Sequence, residues 1–144
     1  METMGRQDHE KDRVLETKTF TVPFDLGEFN ENANVTNITL SQLSREQIIN
    51  RAFDLHSGGN IVEAAKYYKF CVDEGFNDPS VFSNFGIILR DLGKLKEAEL
   101  MLRKAIELKP DFADAFYNLG NLLRDLGKLQ EAELSLCKAI EFKP

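Results

Sequence analysis

The sequence repeats itself at an interval of 34 residues. Residues 79–110 and 113–144 align at that offset without a gap, and 21 of the 32 aligned positions are identical. The longest shared block is Leu89-Arg90-Asp91-Leu92-Gly93-Lys94-Leu95 against Leu123-Arg124-Asp125-Leu126-Gly127-Lys128-Leu129. One further step back gives a weaker copy, residues 45–78. A chain organised this way folds as a stack of similar units, each burying its apolar face against the next.

The pattern inside a unit is helical. Phe116, Leu119, Leu123 and Leu126 recur at helical spacing, which makes one stripe of an amphipathic helix. Leu129, Ala132, Leu136, Ala139 and Ile140 make a second stripe. Gly127 lies between them, and Gly93 and Gly59 hold the same place in the other units. Glycine accepts the left-handed conformation that closes a helix, so each unit reads as two helices joined by a tight turn. The start signals agree. Ser44 with Gln47 fits a capping box, Asp78 before Pro79 fits N-cap then first helical residue, and Asp111 after Pro110 is expected to cap the fifth helix. The spacing predicts helices over 45–57, 60–74, 79–91, 94–108, 112–125 and 128–142.

Residues 1–43 lack this pattern. They carry four Lys/Arg against eight Asp/Glu, so most of the net charge of −6 resides there. Residues 2–18 are charged and aperiodic, the composition of a disordered segment. Phe20, Val22, Phe24 and Leu26 alternate as in an extended strand, and Pro23 restricts such a strand to an edge or a docked position. The expected division is thus a tail and linker over 1–43, with an extended segment at 19–26, followed by an array over 45–144 made of units 45–78, 79–112 and 113–144. Neither part holds the basic stripe that nucleic acid requires. No apolar run approaches the ~20 residues of a membrane span, and Met1 to Arg13 lacks a signal-type apolar core. The expectation is a cytoplasmic protein that engages neither nucleic acid nor membrane. Cys71 and Cys137 form no Cys-x-x-Cys or Cys/His cluster, in keeping with a reducing compartment.

The third unit reads Phe116, Leu119-Gly120, Leu123, Ala132, Leu136, Ala139 and Pro144. The second reads Phe82, Phe85-Gly86, Leu89, Ala98, Leu102, Ala105 and Pro110. This alternation of large and small residues resembles the tetratricopeptide repeat. The first unit departs more, with Arg51-Ala52, Ala64, Tyr68, Cys71, and Phe76 where proline is expected. The resemblance covers residues 45–144. It implies an all-α fold, a right-handed α-solenoid of three antiparallel helical hairpins. Gly86, Gly120 and Ala52 would then sit where the two helices of a hairpin cross, facing Ala98, Ala132 and Ala64. The large residues at 82, 89, 116 and 123 would fill the space between hairpins.

The resemblance also places the first helix of each unit on a concave face. The sixth residue of every unit is asparagine: Asn50, Asn84 and Asn118. This row is similar to the asparagine ladder in the repeats of O-linked N-acetylglucosamine transferases, where amides grip the main chain of a bound peptide. An amide offers one donor and one acceptor group and so can pair with a peptide unit of any sequence. Alternatively, such an asparagine bonds within or between helices. Ser83, Tyr117, Asn121, Arg90 and Arg124 complete the candidate peptide-binding set, with Ile87, Phe53 and His56 nearby. Arg90 with Asp91 and Arg124 with Asp125 read as local pairs. The clamp of chaperone-tail-binding repeats needs lysines where this chain has Ile49 and Asp114, which argues against that ligand.

No catalytic set is visible, no cofactor or metal is expected, and His56 reads as a helix-end polar residue. Ser57-Gly58-Gly59-Asn60 is a turn rather than a phosphate loop. Pro144 closes the third unit without a polar capping helix. The expectation is therefore a non-enzymatic scaffold for a protein or peptide, with self-association through the last hairpin as one way to cover its stacking face. The alternative is a docking fragment of a larger glycosyl-, sulfo- or methyltransferase.

Overall fold

The computed structural model describes residues 40–143 of the 144. The extended segment expected at 19–26 and all but the end of the expected tail lie outside them. A 3-10 turn, Leu40–Gln42, opens the described chain with Leu40 buried. Six helices follow: α1 Arg45–Ser57, α2 Ile61–Asp73, α3 Pro79–Asp91, α4 Leu95–Leu108, α5 Ala113–Asp125 and α6 Leu129–Phe142. Each boundary falls within one residue of the spacing-based expectation, and there is no strand among the described residues. The fold is all-α, three helical hairpins in sequence. The chain divides at Cys71 and Val72 into two compact units.

Local chemistry explains where the helices start and stop. The Ser44 hydroxyl accepts from the Gln47 N–H at 3.1 Å, and the Ser44 N–H donates to Gln47 Oε1 at 2.8 Å. This is the reciprocal box that satisfies two orphan donors. Asp78 accepts from the N–H groups of Ser80 and Val81 at 2.8 and 3.1 Å, with Pro79 as first helical residue. Three helices end by one device. Gly59, Gly93 and Gly127 adopt φ of 86°, 82° and 80°, and the next N–H reaches back to Leu55, Leu89 and Leu123 at 2.8 Å in each case. That bond satisfies a carbonyl that the helix leaves open.

One expectation about ends is corrected. Asp111 does not cap α5. The N-cap is Phe112, without a side-chain capping bond, and its carbonyl accepts from Ala115 and Phe116. Phe112 is held there by packing on the Ala105–Ala115 cluster, which moves the helix start one residue beyond Asp111. In the first repeat, the proline that closes the others is replaced by a different stop. Gly75 takes φ 80°, and Phe76 turns inward with 8% exposure.

In the first compact unit, Ala52, Ala64 and Tyr68 are fully buried. Tyr68 bridges the hairpin, with Phe53 and His56 of α1 against its ring. In the second, small residues set the helix crossings. A Cβ on Gly86 would lie 2.7 Å from Leu102 Cγ, and one on Gly120 would lie 2.6 Å from Leu136 Cγ. A side chain enters either crossing only if the facing leucine moves. Phe82, Ala105 and Ala115 form a buried cluster that joins α3, α4 and α5, with Met101, Ile106, Leu108 and Phe112 packed around it. Leu89 and Leu123 are buried as expected. Phe116 is not: it is half-buried, its ring 5.6 Å from that of Phe142 in its own hairpin.

Candidate functional site

The first helices of the two near-identical repeats, α3 and α5, are linked side by side at two places. The Asn118 Nδ2 donates to Ser83 Oγ at 3.5 Å, a long bond. The Arg90 Nε donates to Asp125 Oδ2 at 2.7 Å. Both links span 35 residues, so each residue of α3 meets the one next after its own repeat equivalent. The expected local pair of Arg90 with Asp91 does not form. Successive residues on a helix point in different directions, whereas a carboxylate one repeat away comes within reach. Arg124 is likewise not paired with Asp125, which is occupied by Arg90.

The candidate peptide-binding residues divide by exposure. Ser83 is only 2% exposed and is approached by Asn118, so the groove contact expected of it is not available. Asn84, Asn118 and Asn121 are half-buried, and Tyr117 and Arg124 are exposed. Asn50 is exposed on α1 in the first compact unit. Of the asparagine row, therefore, Asn118 shows the helix-to-helix bonding that was the alternative to ligand contact. Its Oδ1 is not engaged in that bond.

A further ion-pair group joins α4 to the start of α6, partly within α4 and partly across repeats. Glu99 accepts from Arg103 at 2.8 Å and from Lys128 at 3.4 Å, and Arg103 reaches Glu131 at 3.5 Å. Burial of Glu99 would raise its pKa. The hydrogen bonds and charges of Arg103 and Lys128 outweigh that and hold it below the usual 4.5. In the first compact unit the balance is reversed: burial raises the Glu63 carboxyl despite Lys66 and Arg51. The cross-repeat links were missed in the sequence because their partners lie 28 to 35 residues apart. Reading charges near one repeat's offset would have found the Arg90–Asp125 pair.

His56 Nδ1 lies 3.2 Å from the Tyr68 hydroxyl, and no group of three His, Cys, Asp or Glu could hold a metal among the described residues. Among the described residues no helix is long and apolar enough to cross a membrane. Cys71 is buried and Cys137 exposed, both as free thiols. A cavity of about 370 Å³ opens between α5 and α6, lined by Ala113, Asp114, Tyr117, Leu136, Ala139, Ile140 and Lys143.

Comparison with known proteins agrees with this architecture. Residues 86–127 match a family model described as TPR repeat, and residues 113–144 match one described as tetratricopeptide repeat. Residues 86–144 thus carry the tetratricopeptide-repeat pattern. No curated protein gives a significant match. Among solved structures, the chain is similar to the second TPR of Spaghetti (RPAP3) bound to the HSP90 peptide SRMEEVD. That similarity has 21% identity and a TM-score of 0.64, over 69% of this chain and 92% of that one. The first TPR of Spaghetti, bound to the same peptide, is 22% identical with a TM-score of 0.64, over 69% and 79%. MamA is 22% identical with a TM-score of 0.66, over 78% and 62%. At these identities the likeness is one of fold. The transferase-docking alternative finds no support in these comparisons.

Proposed function

We propose that this chain is a protein-interaction scaffold whose first helices hold an extended segment of a partner protein. Asn84 and Asn118 grip the partner's main chain, and Tyr117, Asn121 and Arg124 contact its side chains. The observation that carries this reading is the half-buried asparagine at one position of successive repeats, on helices whose register is fixed by the Arg90–Asp125 bond. Two domains of one protein, both of the same fold, hold a peptide, which supports a peptide ligand here. The acidic end of that peptide is not the chemistry this surface suits. The positions where the chaperone-tail clamp needs lysine carry Ile49, which is buried, and Asp114, which is acidic.

The test is a partner recovered by affinity capture with the intact chain and then reduced to its binding segment. Each lost amide bond is worth about 0.5–1.5 kcal/mol, so Asn84→Ala with Asn118→Ala together should weaken binding about tenfold or more. Ser83→Ala separates the two roles of Asn118: it removes the helix-to-helix acceptor and should leave affinity unchanged. Undiminished binding by the double asparagine variant, with an unchanged helical CD spectrum, refutes the reading.

A further inference from the structure

The asparagines of α3 and α5 are held at a fixed spacing, and that spacing selects the conformation of what they can bind together. The bond from Asn118 to Ser83 lies near the start of the two helices, and the one from Arg90 to Asp125 lies near their end. Both join residues 35 apart. The helices therefore run side by side, in one direction and in constant register, with Cα atoms within 8 Å of each other. Helices packed this closely have axes about 8–10 Å apart. Asn84 and Asn118 are equivalent residues, so their amides are displaced by that one step. Asn118 directs Nδ2 at Ser83, which leaves its Oδ1 to accept an N–H.

We infer that the segment held by α3 and α5 is a left-handed polyproline-II helix, which meets the two asparagines with residues three apart. This rests on the asparagine reading proposed above and adds to it the conformation and sequence class of the ligand. A ligand engages both amides alike only if its own repeat matches the step between them. A β-strand rises about 3.3 Å per residue and alternates faces. Two of its residues cover about 6.6 Å and four about 13 Å, and the three that fit the step turn the second contact to the opposite face. An α-helix, at about 1.5 Å per residue, matches in length, but its N–H groups are bonded internally. Polyproline II rises about 3.1 Å per residue and completes a turn in three. One turn covers about 9 Å and brings back the same face. Its main-chain groups make no bonds within the chain, so every third residue presents an N–H to an asparagine.

Sequence requirements follow. The residues that face Asn84 and Asn118 keep their N–H groups and so are not proline. The two residues between them need no N–H, and proline there pre-sets the conformation. Tyr117 is 56% exposed and stands one residue before Asn118. It supplies an aromatic face of the kind on which such ligands pack their proline rings. Ile87, half-buried and about one turn after Asn84 on α3, adds an apolar contact at the other repeat. The ligand is thus a proline-rich segment with a residue other than proline at every third position.

The probes are three fluorescein-labelled peptides of equal length, built from repeated Thr-Pro-Pro, Thr-Pro and Thr-Pro-Pro-Pro. Proline keeps all of them in polyproline II, and only the first places N–H groups three residues apart. Each is titrated against the intact chain by fluorescence anisotropy. The Thr-Pro-Pro peptide is expected to bind. The other two reach one asparagine at a time and should bind about two- to tenfold more weakly. Asn118→Ala, with an unchanged helical CD spectrum, should bring the Thr-Pro-Pro peptide down to the level of the others and change those little. Equal affinity for all three, or a preference for either of the other periods, overturns the inference. If Asn84→Ala with Asn118→Ala weakens such binding, the asparagine reading still stands. A preference for Thr-Pro-Pro that survives the double substitution overturns both. Absence of binding by all three peptides overturns the inference alone, and the captured partner then decides the asparagine reading.

Discussion

Gly86→Ala tests how these hairpins are held together. The new Cβ would sit 2.7 Å from Leu102 Cγ, 3.1 Å from its Cδ2 and 3.3 Å from the Ala98 carbonyl oxygen. Carbon atoms pack best at about 3.5–4.0 Å, so the overlap approaches 1 Å. It falls on Cγ rather than on the tip of the side chain, and Leu102 is fully buried. Rotation cannot clear it, so α3 and α4 must move apart. Overpacking of this kind costs about 1–3 kcal/mol, and alanine returns about 1 kcal/mol of helix propensity. A net loss of roughly 1–2 kcal/mol is expected. Gly120→Ala supplies the contrast. Its Cβ would lie 2.6 and 2.7 Å from Leu136 Cγ and Cδ2 and 3.2 Å from the Ala132 carbonyl oxygen, an equal overlap. But Leu136 is half-buried and lines the open cavity, so it can swing outward, and only the close backbone contact remains. That variant should lose less stability than Gly86→Ala. Urea unfolding followed by far-UV CD reads both. Leu102→Ala should cost less in the Gly86→Ala background than in the parent, since it removes the clashing atoms. If Gly86→Ala is as stable as the parent, or if the two alanine variants lose equally, the crossing is not set by these contacts.

Three further outcomes follow from the same geometry. Asp78→Ala removes the acceptor for two backbone N–H groups and should cost about 1 kcal/mol, whereas Asp111→Ala, which removes no capping bond, should change stability by less than about 0.5 kcal/mol; denaturant midpoints decide. Because the Glu99 carboxyl is held below its usual pKa, its stabilisation is complete above about pH 4.5 and is lost as pH falls through the lowered folded value. Glu99→Gln should therefore destabilise the chain at neutral pH and match the parent in strong acid, as read by unfolding at a series of pH values. A thiol reagent added to the native protein should modify Cys137 at once, and Cys71 only as fast as α2 opens.

The helices were legible because their signals are local. The spacing of apolar residues, glycine at a fixed place in each repeat, and the Ser44 and Asp78 caps all act within a few residues. Where the reading failed, a distant group had decided. Asp111 has the local form of a cap, but Phe112 is fixed by Ala105 and Lys109 on the preceding helix and takes the position instead. Arg90 and Asp91 are neighbours in sequence, yet α-helical geometry turns them apart, and the salt bridge goes to Asp125. The candidate site was legible as residue identities and not as exposures. Ser83 and Tyr117 are equivalent positions, and one is 2% exposed while the other is 56% exposed. The difference is that α5 lies against Ser83, whereas Tyr117 borders the open cavity beside α6.

The two near-identical repeats separate what holds the stack from what the stack presents. Of the eleven aligned positions that differ, seven fall in the first helix and four in the turn and second helix. Three of those seven, Val81/Ala115, Phe85/Leu119 and Ile88/Leu122, are apolar exchanges at positions buried in both copies. They trade size within the core and present nothing to a partner. Ser80/Asp114, Ser83/Tyr117 and Ile87/Asn121 surround the invariant asparagine and change polarity, charge or bulk. Stacking gives Asn118 a role through its bond to Ser83, but gives none to Asn84, and does not account for the variation on either side of both. A surface that reads a main chain at one position and side chains at its neighbours requires that combination. The amide supplies an interaction independent of sequence, and the variable positions supply selectivity.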